Sequence, residues 1–148
     1  CHDDVGLPRL ERCLREFSNI KWCGHGPGFW AAISGDDDGN PGYPKGPITP
    51  GGALDRLLEK YDNLYLDLSA FSGYNAMTRD PEFMRGFVQR HWPRMLFGTD
   101  IVSPSDRLPI IQWLRTLDVS EEVRAAIGDG NARRVLGIAP DSTERVGG

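Results

Sequence analysis

Apolar and polar positions along this chain alternate between a helical rhythm and a strand rhythm. From Pro8, the spacing of Leu10, Cys13, Leu14 and Phe17 predicts a helix, with proline suited to its first turn. Ser18 and Asn19 break that pattern, and residues 20–24 predict a short strand. Ala53, Leu54, Leu57, Leu58 and Tyr61 mark a second amphipathic helix. Residues 63–69 alternate strictly, with Leu64, Leu66 and Leu68 on one face and Tyr65 and Asp67 on the other, which predicts a strand. Asp80-Pro81-Glu82 combines a capping side chain, a first-turn proline and an acid favoured by the helix dipole. The helix it opens carries Phe83, Phe87 and Val88 and ends near His91-Trp92-Pro93. Residues 95–99 predict a third strand, and Leu108, Ile111, Trp113 and Leu114 a further helix. Ser120 caps another helix through Val123 and Ile127; residues 131–136 follow, with Gly137 as the stop.

Strands that alternate with helices predict an α/β fold with a parallel sheet. Residues 26–52 interrupt the alternation. They hold Pro27, Pro41, Pro44, Pro47 and Pro50, many glycines and the run Asp36-Asp37-Asp38, and they predict a long segment that is a lid, a binding loop or disordered. The acidic run lacks the glycine and the final acid that a calcium loop requires, so it reads as a solvated loop. A polar tail is expected from residue 139 onward, which leaves residues 1–138 as the domain proper.

A chain of 148 residues is the length of one ordinary domain and can bury roughly 68–70% of its unfolded surface. Hydrophobic residues at 39% and charged residues at 26% describe a globular chain. A net charge of -4 argues against nucleic acid and anionic membrane as partners. No apolar run reaches the length of a membrane span. The three cysteines are odd in number and irregular in spacing, which fits a reducing, cytoplasmic compartment.

Two of the expected strands stop at groups that can bind metal or move a proton. Ile20-Lys21-Trp22-Cys23-Gly24 leads to His25-Gly26, and Leu96-Phe97-Gly98-Thr99 leads to Asp100. Adjacent parallel strands ending this way would gather their tips into one site. The plainer accounts are that Asp100 caps a following helix and that His25 is a loop histidine. Glycine on both sides of His25 favours close approach of backbone to a ligand. Cys23 reads as a small core residue and His91 as a surface histidine at a helix end. Tyr74, Asn75 and Arg79 follow the second strand in what reads as a loop; Arg79 could pair with a substrate carboxylate.

These motifs resemble the metal-dependent amidohydrolase superfamily, and most closely its amidohydrolase-related branch of the aminocarboxymuconate-semialdehyde decarboxylase type. Gly24-His25-Gly26 is similar to the turn after that family's sixth strand, residues 63–69 to its seventh strand, and Phe97-Gly98-Thr99-Asp100 to the end of its eighth. Gly130-Asn131-Ala132-Arg133 resembles its closing helix, and His2 stands where its fifth strand ends in a histidine. The resemblance implies the C-terminal half of a (β/α)8 TIM-type barrel, from about strand five or six to strand eight, with helices outside. A complete barrel runs to about 250 residues, and the His-x-His pair of the family's first strand is absent here.

The resemblance further implies a divalent metal, zinc or alternatively manganese, with Asp100 and His2 as ligands and Asp100 as general base. His25 would bind substrate or polarise it, with Arg79 and Tyr74 as further substrate contacts. The implied activity is hydrolysis of a small organic substrate by metal-activated water. The alternatives are a decarboxylase of the same family and a non-catalytic half-barrel or assembly module. A half-barrel with Leu66, Leu68 and Leu96 on an uncovered inner face would form homo-oligomers or depend on an N-terminal half.

Overall fold

The computed structural model describes residues 3–40 and 42–139. Three short strands, β1 (Trp22–Gly24), β2 (Leu64–Asp67) and β3 (Met95–Leu96), form one parallel sheet in the order β1-β2-β3. The register pairs Cys23 with Tyr65 and Asp67 with Leu96, so the strands and their tips are aligned. This mixed α/β arrangement is compatible with part of a TIM-type barrel.

The expected helices form. They are α1 (Pro8–Glu16), α3 (Ala53–Lys60), α5 (Pro81–His91), α6 (Pro109–Thr116), α7 (Glu121–Ala125) and α8 (Asn131–Leu136). Asp80 caps α5 by accepting from the Phe83 amide, and Ser120 caps α7 through the Val123 amide. Gly137 ends α8 in the left-handed conformation. A π-helical stretch, Ala126–Gly130, joins α7 to α8. Buried Asn131 then donates to the carbonyls of Trp92 and Met95, which ties α8 to the start of β3.

Two segments expected as loops contain helices. Within residues 26–52, α2 (Pro27–Ala31) buries Phe29, Trp30 and Ala31, and Ala32, Ile33 and Ile48 are buried as well. Proline and glycine content hid an apolar cluster that joins the core. Residues after β2 form α4 (Ala70–Thr78), whose buried face of Ser72, Gly73, Ala76 and Met77 is too small and mixed to read as an apolar stripe. His91 corrects another expectation: it is buried, with its ring edge-on to Phe87 and its Nε2 2.6 Å from Asp55 Oδ1. Burial lowers the His91 pKa, against the opposing pull of Asp55. Cys23, expected in the core, is exposed on the face of the sheet that the helices leave open.

Leu64, Leu66, Leu68 and Met95 are fully buried on the helix-covered face. The opposite face carries Tyr65, Asp67 and Leu96, all only partly buried. The expectation that Leu66, Leu68 and Leu96 share an inner face is therefore corrected. In parallel β/α units the most apolar strand face packs on the helices.

An ionic cluster fastens α1 to α3. Glu11 accepts from Lys60 Nζ at 2.8 Å, Arg56 Nη1 at 2.7 Å and Tyr61 Oη at 3.2 Å. The Lys60 hydrogen bond, followed by that of Arg56, holds the Glu11 carboxyl at about 2 against an ordinary 4.5. A depressed folded-state value makes this stabilisation complete above pH 4.5 and lost as pH falls toward 2. With both cations about half exposed, the cluster is worth about 1 kcal/mol. Glu11→Gln is expected to shrink the difference in urea midpoint between mildly acidic and strongly acidic buffer.

Candidate functional site

The carboxyl ends of the strands carry the chemistry. His25 follows β1, Asp67 ends β2, Ser69 lies two residues beyond it, and Asp100 follows β3. His25 and Asp100, 75 positions apart in sequence, come together with Nε2 4.0 Å from Oδ2. On its other side the ring places Nδ1 within hydrogen-bond distance of Asp67 Oδ2, at 2.9 Å.

Asp67 is itself held in place. Its Oδ2 accepts from Ser69 Oγ and its Oδ1 from the Ser69 amide, each at 2.9 Å. The Trp30 indole donates to its backbone carbonyl at 3.1 Å. Sequence reading placed Asp67 on the correct strand face but gave it no role. The signal was a carboxylate alternating with leucines at the tip of a buried strand, beside a Ser two positions on.

The glycines flanking these groups have local reasons. A Cβ on Gly24 would stand 2.0 Å from the Phe29 ring, so this glycine serves packing rather than the expected close approach to a ligand. A Cβ on Gly98 would stand 3.0 Å from Ser69 Cβ and 3.2 Å from Asp67 Oδ1. Gly98 therefore leaves room for the Asp67–Ser69 pair.

Two non-glycine residues at these tips have left-handed backbone, Ala70 at φ 61° and Asp100 at φ 51°. Such conformations cost roughly 1–3 kcal/mol and cluster at functional sites. Aspartate tolerates this region better than most residues. The Asp100 carboxylate is 48% accessible, and His25 is its only ion-pairing or hydrogen-bonding neighbour among the described residues. It caps no helix: α6 begins at Pro109 with no side-chain cap.

Among the described residues, no group of three or more His, Cys, Asp and Glu side chains is placed to hold a metal ion. Two ligands about 2.1 Å from a tetrahedral ion stand about 3.4 Å apart. The 4.0 Å between His25 Nε2 and Asp100 Oδ2 is wider and suits a single water donating to both. These residues fit the rim of a metal site, a free carboxylate with an acceptor beside it, and do not close one alone. His2, expected as a second ligand, lies outside the described residues, as does the tail from residue 140.

The other expected contacts lie elsewhere. Tyr74 is in α4 with its ring 6.0 Å from that of Phe71. Arg79 caps the C-terminus of α4 and lines a cavity of about 230 Å³ with Asp36, Tyr43 and Lys45. Its Nη2 is buried with no hydrogen-bond partner among the described residues. No hydrogen bond or ion pair among the described residues ties either to His25 or Asp100. The acidic run closes on itself, with Asp37 accepting from the Gly39 amide and Asp38 from the Asn40 amide. A larger cavity of about 540 Å³ opens beside His25 and is lined also by Leu7, Pro27, Asp37 and Asn40.

The sequence model of the amidohydrolase family matches residues 18–138. The chain belongs to the amidohydrolase family. That family comprises metal-dependent hydrolases and lyases that generally use divalent metals. At strict similarity thresholds no curated protein and no solved structure matches the chain. No helix among the described residues is long and apolar enough to cross a membrane.

Proposed function

We propose that this chain forms the C-terminal part of the barrel of a metal-dependent hydrolase acting on a small organic substrate. The observation that carries the reading is the convergence of His25, after β1, and Asp100, after β3, at 4.0 Å across the tip of the central strand, with Asp100 in left-handed backbone and its carboxylate about half exposed. Asp100, with His2, would hold a divalent metal, zinc or alternatively manganese. When bound, that ion supplies an acidified water with a pKa near about 7. Asp100 offers a second carboxylate oxygen to take a proton. His25 presents Nε2 toward the same space, where it can orient a water or polarise a substrate oxygen.

The cavity of about 540 Å³ beside His25 is the size of a small-molecule site. Arg79 and Tyr74 would be further substrate contacts; Arg79 lines a cavity that shares Ala31, Asp37 and Asn40 with this one, and its buried Nη2 has no hydrogen-bond partner among the described residues. The same constellation serves a decarboxylase, which differs in substrate rather than in these groups.

Metal analysis tests the reading. Near-stoichiometric zinc or manganese per chain after purification or reconstitution is expected. A chain that takes up neither is a non-catalytic module. The partly buried face of Tyr65 and Leu96 and the free edge of β1 would also draw this chain into association, with a second copy or with N-terminal strands. Light scattering is expected to show a species larger than a monomer; a monomer that persists on dilution overturns that part.

A further inference from the structure

We infer that Asp67, clamped by Ser69, is a positioning residue that fixes the tautomer of His25 and thereby makes Nε2 the working atom. A neutral imidazole carries one proton and can place it on either ring nitrogen. Here Nδ1 lies 2.9 Å from Asp67 Oδ2, which only accepts, and 3.3 Å from Ser69 Oγ. The proton is therefore drawn to Nδ1, and Nε2 is left with its lone pair toward Asp100. That is the reverse of the tautomer a histidine side chain favours free in water.

The clamp is built on every side. Ser69 spends its hydroxyl proton on Oδ2 and its amide on Oδ1, so the carboxylate cannot turn away. Trp30 fixes the carbonyl of the same residue, and Gly98 keeps the space beside both side chains open. The arrangement follows the logic of an orienting carboxylate behind a catalytic or metal-site histidine. Its consequence is geometric. With both Nε2 and Asp100 Oδ2 as acceptors, 4.0 Å apart, the gap selects a donor with two protons, such as one water. The opposite tautomer would let Nε2–H donate straight to Asp100 and close that gap.

This bears on the hydrolase reading but stands on geometry that does not require it. The test is the ring-nitrogen spectrum of His25 in the ¹⁵N-histidine-labelled chain in mildly alkaline buffer, assigned by its loss in His25→Gln. The proton is expected on Nδ1. Asp67→Asn should reverse it: the Ser69 amide keeps the asparagine carbonyl, so the amide nitrogen faces Nδ1 and forces it to accept. Ser69→Ala, which removes one bond from the clamp, should give a mixture; it carries the test should Asp67→Asn fail to fold. A wild-type proton on Nε2, or a tautomer indifferent to both substitutions, overturns the inference. In the active protein Asp67→Asn is expected to lower kcat by about 10²–10⁴ with KM and metal content little changed. A tautomer that responds as expected in a chain without hydrolytic activity supports this inference and removes the hydrolase reading alone.

Discussion

Asp100→Asn is expected to lower metal content per chain at least tenfold and any turnover by about 10²–10⁴, while the thermal midpoint barely moves. The Asp100 carboxylate makes no hydrogen bond to the rest of the fold among the described residues, and about half of it faces solvent. Its removal therefore leaves no buried partner stranded. Asparagine also tolerates the φ of 51° at this position, so the backbone is not asked to change. Asp100→Ala keeps the Cβ but loses the tolerance that Asp and Asn have for this conformation, which adds a part of the about 1–2 kcal/mol left-handed penalty. The pair separates chemistry from conformation: both should lose metal, and alanine alone should lose stability. Elemental analysis and calorimetry on the two variants make the comparison. An asparagine variant that keeps its metal, or that unfolds, would falsify the assignment of Asp100 as ligand and base.

Some of this site was legible because strand tips leave a local signature. Ile20-Lys21-Trp22-Cys23-Gly24 and Leu96-Phe97-Gly98-Thr99 are short apolar runs that end in a polar group; β1 ends at Gly24 as that pattern placed it, whereas β3 stops at Leu96, three residues short of the expected end. Asp67 was harder to see. Its role depends on a ring from the neighbouring strand, a hydroxyl two residues on and the absence of a side chain at Gly98. None of these contacts has a sequence period. The helix of residues 70–78 escaped for a different reason. It opens on a left-handed Ala70 and packs through Ser72, Gly73 and Ala76, so close approach of backbone replaces an apolar stripe. Residues 26–52 misled through composition: their prolines and glycines outnumber Trp30, Ile33 and Ile48, yet these three are buried. His91 looked like a surface group because the sequence gives no sign that Asp55, a turn into another helix, would lie 2.6 Å away.

Leu66→Ala is expected to cost about 2–5 kcal/mol, which for a domain of this size lowers the thermal midpoint by roughly 6–15 °C. Leu66 is fully buried in the central strand, in register with Gly24 on one side and Met95 on the other. The helices cover it, so truncation opens a cavity that close-packed neighbours cannot fill. Leu96→Ala should cost far less, about 1 kcal/mol, because Leu96 lies on the open face and keeps part of its surface in water. The alternation along β2 read from sequence did not say which face the helices take. These two variants do. If Leu66 instead pointed into an uncovered barrel interior, the two substitutions would cost alike, and the chain's self-association would fall with both. The structure requires unequal costs, with folding sensitive to Leu66; the proposed association would be sensitive to Leu96. Asp67 lies next along β2 and points the opposite way, so the leucine that anchors the strand to its helices also sets the direction in which the carboxylate meets His25.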